Sequence, residues 1–261
     1  MKCFLTVALV LFSTLFGSEY SANFNHPEQV QGVDIFLTYP RSGTNWTMGI
    51  LQILTRKPVI NLHLHGEAKF DKFHISVNRL GFDLDKTKSP LCRTHTPDLI
   101  KKINRNKNKL LFNLRNYKEC IVRNHFLSAD ELKNSVLNET SEFKKYIDNL
   151  KCFDNWPEQN KHIIYYEDLI KYPKIEIPKL LAFMNENAID LESFYSNFDY
   201  WRNLVLGSYQ NQHGLECSSG GDKEVFHSKE FPIETLKEID QYIKGKYPHL
   251  WEKYLSRYET L

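Results

Sequence analysis

The sequence carries almost no excess of charge of either sign. Its 261 residues include 34 lysines and arginines and 32 aspartates and glutamates, for a formal net charge of +2. A protein that binds nucleic acid along its surface presents a strongly basic face, so this balance predicts no nucleic-acid partner. Any site for an anion must therefore be built locally from a few residues.

Metal-binding cysteine pairs are also missing. Besides Cys3, the chain has Cys92, Cys120, Cys152 and Cys217, which are widely spaced and form no CxxC motif. This spacing argues against a zinc site, and we expect no bound metal. Two disulfides are possible in an exported chain, but Cys92 and Cys120 fall in apolar segments, which favours buried thiols.

Long hydrophobic runs are limited to one, at the N-terminus, where Lys2 is followed by the apolar stretch Cys3–Phe16. A membrane span needs about 20 apolar residues, so this shorter run is typical of a secretory signal peptide, with a signal-anchor or a buried helix as weaker alternatives. We expect residues 1–18 to be this leader. The protein would then be exported, or cytoplasmic if the leader does not function, and would contact a membrane only if the leader stays uncleaved.

Internal repeats, low-complexity tracts and long Gly/Ser linkers are absent too, so residues 34–261 are predicted to form one domain. Short apolar runs typical of buried strands alternate with segments of helical spacing. This alternation predicts an α/β fold of three layers, with a central parallel sheet and helices on both faces. The predicted strands are Asp34–Tyr39, Pro90–Arg93, Lys109–Leu114 and His162–Tyr166, and the predicted helices are Trp46–Leu54, Tyr117–Leu127, Glu142–Leu150 and Pro178–Asn185.

The turn between the first predicted strand and the first predicted helix carries the clearest functional signal. TYPRSGTNW, Thr38–Trp46, directly follows the apolar run VDIFL. A Gly-containing turn that opens a helix gathers backbone N–H groups and the positive end of the helix dipole, which favours a bound phosphate. Gly43 lets the anion approach the backbone, and Arg41 adds a bidentate positive charge. The side-chain donors available to the same anion are Ser42, Thr44 and Asn45.

The Walker motif GxxxxGK[ST] and a strand ending in an acidic residue are both missing from the sequence, which counts against a Mg²⁺-dependent triphosphatase or a related kinase. The nonapeptide instead resembles the 5′-phosphosulfate loop of sulfotransferases, TYPKSGTTW, with Arg41 in place of lysine and Asn45 in place of threonine. The resemblance implies a P-loop-like sulfotransferase fold. It also implies transfer of a sulfuryl group from 3′-phosphoadenosine 5′-phosphosulfate (PAPS) to a hydroxyl or amine, without a metal.

Two further motifs similar to those of the family follow in the family's order. RTHTP, Arg93–Pro97, is similar to KTHLP, whose histidine is the catalytic base, so the resemblance implies that His95 deprotonates the acceptor. Arg41 would stabilise charge on the leaving oxygen electrostatically. KLLFNLRNYKECIV is similar to KVIYVARNPKDVAV, which places Arg115 on the 3′-phosphate and Arg123 where the family has a second phosphate ligand, a serine.

The resemblance continues in HIIYYEDLIKYP, which is similar to the family segment LFYEDL and places Tyr166 beside the adenine and Trp46 stacked on the purine. The acidic pair Glu167-Asp168 is predicted to be structural. Toward the C-terminus the resemblance weakens. Ser218–Lys223 keeps only part of the last cofactor motif, and the family's dimer motif is not recognisable, so no dimer is predicted.

Two segments without similarity to cofactor motifs, FDKFHISVNRLGFDL and YWRNLVLGSYQNQHG, are rich in aromatic and polar residues. Loops outside the strand ends hold the second substrate in such folds, so we expect these segments to bind a small-molecule or carbohydrate acceptor. The hypothesised pocket residues are Phe73, His74, Tyr209 and His213. No residue in either segment identifies the acceptor.

Two alternatives to an active enzyme remain open. The replacements at Arg41, Asn45 and Arg123 are compatible with a catalytically inactive nucleotide-binding protein. The leader is compatible with a secreted interaction protein on the same fold. The sulfate donor is made in the cytosol, so an exported enzyme would meet it only in a compartment that imports it or after delivery into a host.

Overall fold

The computed structural model describes residues 32–61, 74–75, 83–85, 87–125, 127–213 and 230–260. The predicted leader, Phe73, Cys217 and the Ser218–Lys223 segment lie outside the described residues. Within the described ranges, no helix combines the length and the apolar character needed to cross a membrane. In the same ranges, histidine, cysteine and acidic side chains do not gather in threes where a metal ion could bind.

Among the described residues, a six-stranded sheet forms the centre of the fold. Its strands are β1 (Asp34–Thr38), β2 (Val59–Asn61), β3 (His74–Ile75), β4 (Leu91–Thr94), β5 (Leu110–Leu114) and β6 (Lys161–Tyr165). They lie in the order β3-β2-β4-β1-β5-β6, and all neighbours run parallel except β2 and β3, which are antiparallel. The predicted parallel sheet is therefore confirmed, with one antiparallel strand at its edge as a correction.

Helices cover both faces of this sheet. They are α1 (Thr44–Thr55), α2 (Tyr117–His125), α3 (Ala129–Leu137), α4 (Ser141–Asp154), α5 (Tyr166–Lys171), α6 (Pro173–Met184), α7 (Leu191–Ser196), α8 (Phe198–His213) and α9 (Ile233–Lys246). Three short helical segments follow at Pro248–Leu250, Trp251–Leu255 and Ser256–Tyr258. Along β1, Ile35 and Leu37 pack in one core cluster with α2, α3, α4 and α9, while Phe36 packs in the other with α1, α6, α7 and α8. This alternation gives the three-layer arrangement that the sequence predicts.

Two sequence predictions differ from the observed helices. α6 begins at Pro173 and contains Pro178, where the sequence pattern predicts a helix start; proline is favoured at the first helical position, and Pro173 takes that place. The segment at 200–214 is predicted as a loop, but its residues up to His213 belong to α8. Tertiary contact explains that helix, because Val205 of α8 packs so closely on Gly49 of α1 that a Cβ there would lie 2.5 Å from Val205 Cγ2.

The three described cysteines are buried free thiols, as the sequence predicts. Cys92, Cys120 and Cys152 form no disulfide with one another. Burial raises the pKa of Cys152 to about 11 and also raises the pKa values of Cys92 and Cys120. At neutral pH these thiols stay protonated, so they are packing residues rather than nucleophiles.

A buried ion pair ties the C-terminal residues to the start of α2. The Lys118 amino group lies 2.8 Å from the Asp240 carboxylate and donates hydrogen bonds to Tyr258 O at 2.8 Å and Thr260 Oγ1 at 2.7 Å. Burial lowers the pKa of Lys118, and Asp240 opposes that shift. Asp240 also accepts from the Tyr117 hydroxyl. The chain end is thereby fixed beside the turn that follows β5.

Asp240→Asn is expected to lower the free energy of unfolding by about 3 kcal/mol, because it leaves the buried Lys118 charge without a counter-charge. Urea unfolding followed by circular dichroism measures this loss. The matched control is Glu238→Gln, also in α9, whose ion pair with Lys133 is at the surface and should contribute at most about 1 kcal/mol. Equal losses in the two variants would contradict the prediction.

Candidate active site

The carboxyl ends of four neighbouring parallel strands bring the predicted motifs together. β4, β1, β5 and β6 are adjacent in the sheet. The residues that directly follow them are His95, Tyr39, Arg115 and Tyr166. The four motifs are far apart in the sequence. Parallel pairing places the carboxyl ends of the four strands at one edge of the sheet, where open α/β sheets bind ligands.

The turn after β1 is held in a left-handed conformation at two residues. Arg41 has φ 67° and Gly43 has φ 94°. The Ser42 N–H donates to Tyr39 O at 3.2 Å, and the Asn113 side-chain amide on β5 donates to Ser42 O at 2.6 Å. We call residues 39–44 the anion loop. Its geometry is thus fixed from the neighbouring strand, and α1 begins immediately after Gly43 without a side-chain cap.

Buried hydroxyl groups at this loop lack hydrogen-bond partners. Ser42 Oγ, Thr44 Oγ1 and Thr47 Oγ1 are all buried without one within the described structure. A buried hydroxyl without a partner costs about 1–3 kcal/mol, so three of them together indicate a ligand rich in acceptor oxygens. They lie where the uncapped N–H groups of α1 begin. This donor set fits the 5′-phosphosulfate group that the sequence resemblance implies.

Arg115 and Tyr166 form the next part of the site. The Arg115 guanidinium carbon lies 4.4 Å from the centroid of the Tyr166 ring, and its Nη1 donates to Arg41 O at 3.2 Å. Arg115 is 7% exposed, and its Nε is buried without an acceptor in the described part of the chain. The Tyr166 ring also packs directly on Gly43. The loop and the end of β5 are therefore joined through one arginine and one aromatic ring.

Arg123 lies close to Arg115, further along α2 from the sheet edge. Its Nε donates to Glu119, one turn earlier in α2, at 3.2 Å. Burial lowers the pKa of Arg123, and the positive charge of Arg115 lowers it further. Two neighbouring guanidinium groups repel each other, so this pair favours an anion near both. The spacing of Glu119 and Arg123 by four residues on a helix is a sequence signal for this ion pair.

The His95 imidazole is held at both ring nitrogens. Its Nδ1 lies 2.9 Å from Thr38 O and 2.8 Å from Thr38 Oγ1, and its Nε2 contacts Arg93 Nη2. A guanidinium group can only donate, so the Nε2 that faces it carries the lone pair in the neutral ring. Nδ1 therefore carries the proton and donates to the Thr38 carbonyl. This tautomer leaves Nε2 able to accept a proton.

Glu167 supports the site rather than taking part in it, as the sequence predicts. One of its carboxylate oxygens accepts from the Asn116 N–H at 3.0 Å and the other from the Tyr258 hydroxyl at 2.9 Å. Asp168 binds Arg257 through two hydrogen bonds, at 2.8 and 2.6 Å. The acidic pair thus connects the turn after β5 to the C-terminal segment.

The structure places the remaining predicted residues in three elements, α1, β3 and α8. Trp46 is 2% exposed and packs against Phe194 and Phe198, with ring centroids 6.4 and 5.2 Å away; its contact with a purine stays a prediction. His74 lies in the edge strand β3, and Tyr209 and His213 lie in α8. The acceptor role of these residues also stays a prediction.

Comparison with known proteins agrees with this geometry. The family model of the sulfotransferase domain matches residues 34–254. This chain belongs to the sulfotransferase family. Sulfotransferase 1B1 of the mouse, Mus musculus, is 26% identical over 230 residues, which cover 73% of this chain and 73% of that relative. The family match extends well beyond the segment HIIYYEDLIKYP, after which the resemblance of the sequence weakens.

Solved structures of other proteins share the fold of this chain. The crystal structure of mouse sulfotransferase SULT7A1 complexed with PAP has a TM-score of 0.62 at 16% identity and covers 92% of this chain and 95% of that chain. Retinol dehydratase in complex with retinol and PAP has a TM-score of 0.57 at 15% identity, with 89% and 85% of the two chains covered. At these identities the likeness shows the fold, and the roles of individual residues must come from the site itself.

Proposed function

We propose that this sulfotransferase moves the sulfuryl group of PAPS to a hydroxyl or amine of a small-molecule or carbohydrate acceptor. The observation that carries the proposal is the adjacency of two groups at neighbouring strand ends. One is a set of three buried hydroxyls without a hydrogen-bond partner in the described residues, in the anion loop and the first turn of α1, and the other is Nε2 of His95, after β4. A site for an anionic donor and a base would therefore lie at one edge of the sheet.

Separate groups of side chains would hold the two ends of the nucleotide. The anion loop and the N-terminus of α1 would hold the 5′-phosphosulfate, and Arg115 with Arg123 would hold the 3′-phosphate. Tyr166, between Gly43 and Arg115, would line the adenine side. When bound, PAPS supplies the sulfuryl group and a phosphate leaving group.

The chain's own residues then have defined tasks. His95 accepts the acceptor's proton at Nε2, while its Nδ1–H stays on the Thr38 carbonyl and stabilises the charged ring. Arg93 must first release Nε2, because a single lone pair accepts one hydrogen bond. Arg41 acts only through its charge, since a guanidinium does not give up its proton. In-line group transfer needs this positioning and charge stabilisation more than covalent help from the protein.

One structural relative, retinol dehydratase, is solved in complex with retinol, a small molecule with a hydroxyl group. That complex supports a small-molecule acceptor for the present chain. The charged surroundings of the base differ from a purely apolar pocket, because Lys145 of α4 is near Arg93. Burial and the Arg93 charge both lower the pKa of Lys145. We therefore include acidic as well as apolar hydroxyl compounds in the acceptor panel.

The nucleotide part of the proposal is tested with Arg115→Ala. We expect about 10- to 100-fold weaker binding of PAP, because hydrogen bonds to charged groups contribute about 1.5–3 kcal/mol. Adenosine 5′-phosphate, which lacks the 3′-phosphate, should lose far less affinity in the same titration calorimetry. The matched control is Arg105→Ala, which removes an arginine stacked on Trp156 and should leave both affinities unchanged. An equal loss for both nucleotides would remove Arg115 from the 3′-phosphate site.

The transfer itself is tested with ³⁵S-labelled PAPS and a panel of phenols, alcohols, amines, acidic compounds and sugars. Labelled product from the parent protein would establish the activity. A parent that binds PAP with its 3′-phosphate preference but labels no compound would replace this proposal with the inactive nucleotide-binding protein. No binding of PAP at all would contradict both.

A further inference from the structure

Asn149 is a buried polar residue that contacts both the end of β1 and the residue that carries the base. It lies in a helix that contains none of the sequence motifs. It lies in α4, is fully buried, and follows the anion loop by more than a hundred residues. Its amide nitrogen donates to Thr38 O at 3.3 Å and to His95 O at 3.4 Å. One side chain therefore connects the last residue of β1 to the backbone of the residue that carries the base.

The Thr38 carbonyl is the point where this connection meets the imidazole. It accepts from His95 Nδ1 at 2.9 Å and also from Asn149 Nδ2. The direction of this carbonyl sets the plane and the tautomer of the His95 ring, because the Nδ1–H follows its acceptor. Asn149 fixes that direction through one N–H and the position of the His95 backbone through the other.

The same side chain is a poor choice for stability alone. Asn149 Oδ1 is buried without a hydrogen-bond partner in the described part of the chain. Its helix neighbours Phe143, Tyr146 and Leu150 fill the adjoining core with apolar groups. A leucine of similar volume would remove the unpaired amide oxygen, but it would also remove the two N–H groups that Asn149 donates to Thr38 O and His95 O. A residue that breaks a packing rule beside a base is expected to serve function.

We propose that Asn149 is a positioning residue for sulfuryl transfer, which holds the Thr38 carbonyl and the His95 backbone so that Nε2 of the imidazole faces the acceptor. The inference rests on the proposed function. A positioning residue differs in one measurable respect from a tether, a residue that only ties α4 to the sheet. A tether contributes to folding, whereas a positioning residue contributes to turnover more than to folding or nucleotide binding.

Asn149→Leu tests this distinction. We expect a modestly lower melting temperature from the two lost hydrogen bonds, a dissociation constant for PAP within about twofold, and a kcat lower by about 10- to 100-fold, because small misplacements of a catalytic group have effects of that size. The control is Asn155→Leu in the turn that ends α4. The amide of Asn155 is exposed and donates to Lys151 O at 2.9 Å, and all three values should stay unchanged.

A spectroscopic measurement makes the result independent of activity. In ¹⁵N-labelled parent protein, the His95 ring should show the Nδ1–H tautomer with a proton protected from exchange with water. This proton should exchange faster in Asn149→Leu and in a second variant, Asn149→Ala, while Asn155→Leu should match the parent.

Two results would overturn the positioning role: a kcat within twofold of the parent, or a joint loss of melting temperature, PAP binding and kcat in both Asn149 variants. If the parent transfers no sulfuryl group, the proposed function fails. The exchange of the His95 proton then decides separately whether Asn149 orients the ring. Unchanged exchange in both variants would overturn the link between the two residues.

Discussion

His95→Ala is expected to lower kcat by about 10²- to 10⁴-fold while the dissociation constant for PAP stays within about twofold of the parent. Contacts at both ring nitrogens orient the lone pair of the His95 imidazole at this edge of the sheet. In the proposed function, the base acts on the acceptor in the transition state, whereas the anion loop and Arg115 hold the donor. Turnover by the parent should also fall as pH is lowered, because a protonated imidazole cannot accept the acceptor's proton.

The measurement is ³⁵S transfer under single-turnover conditions, together with calorimetry of PAP binding on the same preparations. His249→Ala is the control, since that histidine is exposed and pairs with Asp154 at the surface, at 2.9 Å. It should transfer sulfate at the parent rate. A His95→Ala protein as fast as the parent would show that another group, or none, removes the proton.

Gly43→Ala is expected to weaken PAP binding by at least about 100-fold and to remove measurable turnover. Two effects act together at this position. The backbone has φ 94°, where residues with a Cβ are strained, and a Cβ would collide with Cδ2 of the Tyr166 ring. The loop or the Tyr166 ring must therefore move, and either movement displaces the N–H groups and hydroxyls that we propose bind the anion.

A second glycine separates these two effects. Gly32 has φ 67°, but a Cβ there would meet nothing within 4 Å. Gly32→Ala therefore carries the backbone strain without the collision, and it should lower the melting temperature modestly while PAP binding stays unchanged. Calorimetry and thermal unfolding of both variants give the comparison. Unchanged PAP affinity in Gly43→Ala would show that the loop does not bind the nucleotide.

The strands that carry the site could be predicted closely because they are continuous apolar runs. β1, β4, β5 and β6 each begin and end within one residue of the sequence-based expectation. The short strands β2 and β3 could not be predicted, since they are only three and two residues long and have no pattern of their own. β2 forms because β4 offers a free edge to pair with, and β3 then pairs with β2.

The helices show where local signals are insufficient. α3 begins with a capping box at Ser128 and Glu131, a sequence signature that marks a helix start without reference to the rest of the fold. α8 has no comparable signal, and its aromatic and polar composition suggests a loop. Its helical form depends on packing against α1 at Gly49, a contact between segments more than a hundred residues apart.

The sequence by itself determined the chemistry of this protein: a strand-turn-helix built to bind an anion, a histidine after the neighbouring strand, and an arginine after the next. These are local patterns, so they can be recognised in the sequence without knowledge of the fold. Only the tertiary structure decided how these groups act together. The tautomer of His95 depends on its contacts with Thr38 and Arg93. The turn after β5 brings Arg115 close to Arg123. The packing of α4 brings Asn149 to the His95 backbone. Each of these is a contact through space, whose energy depends on distance and burial that no local pattern encodes.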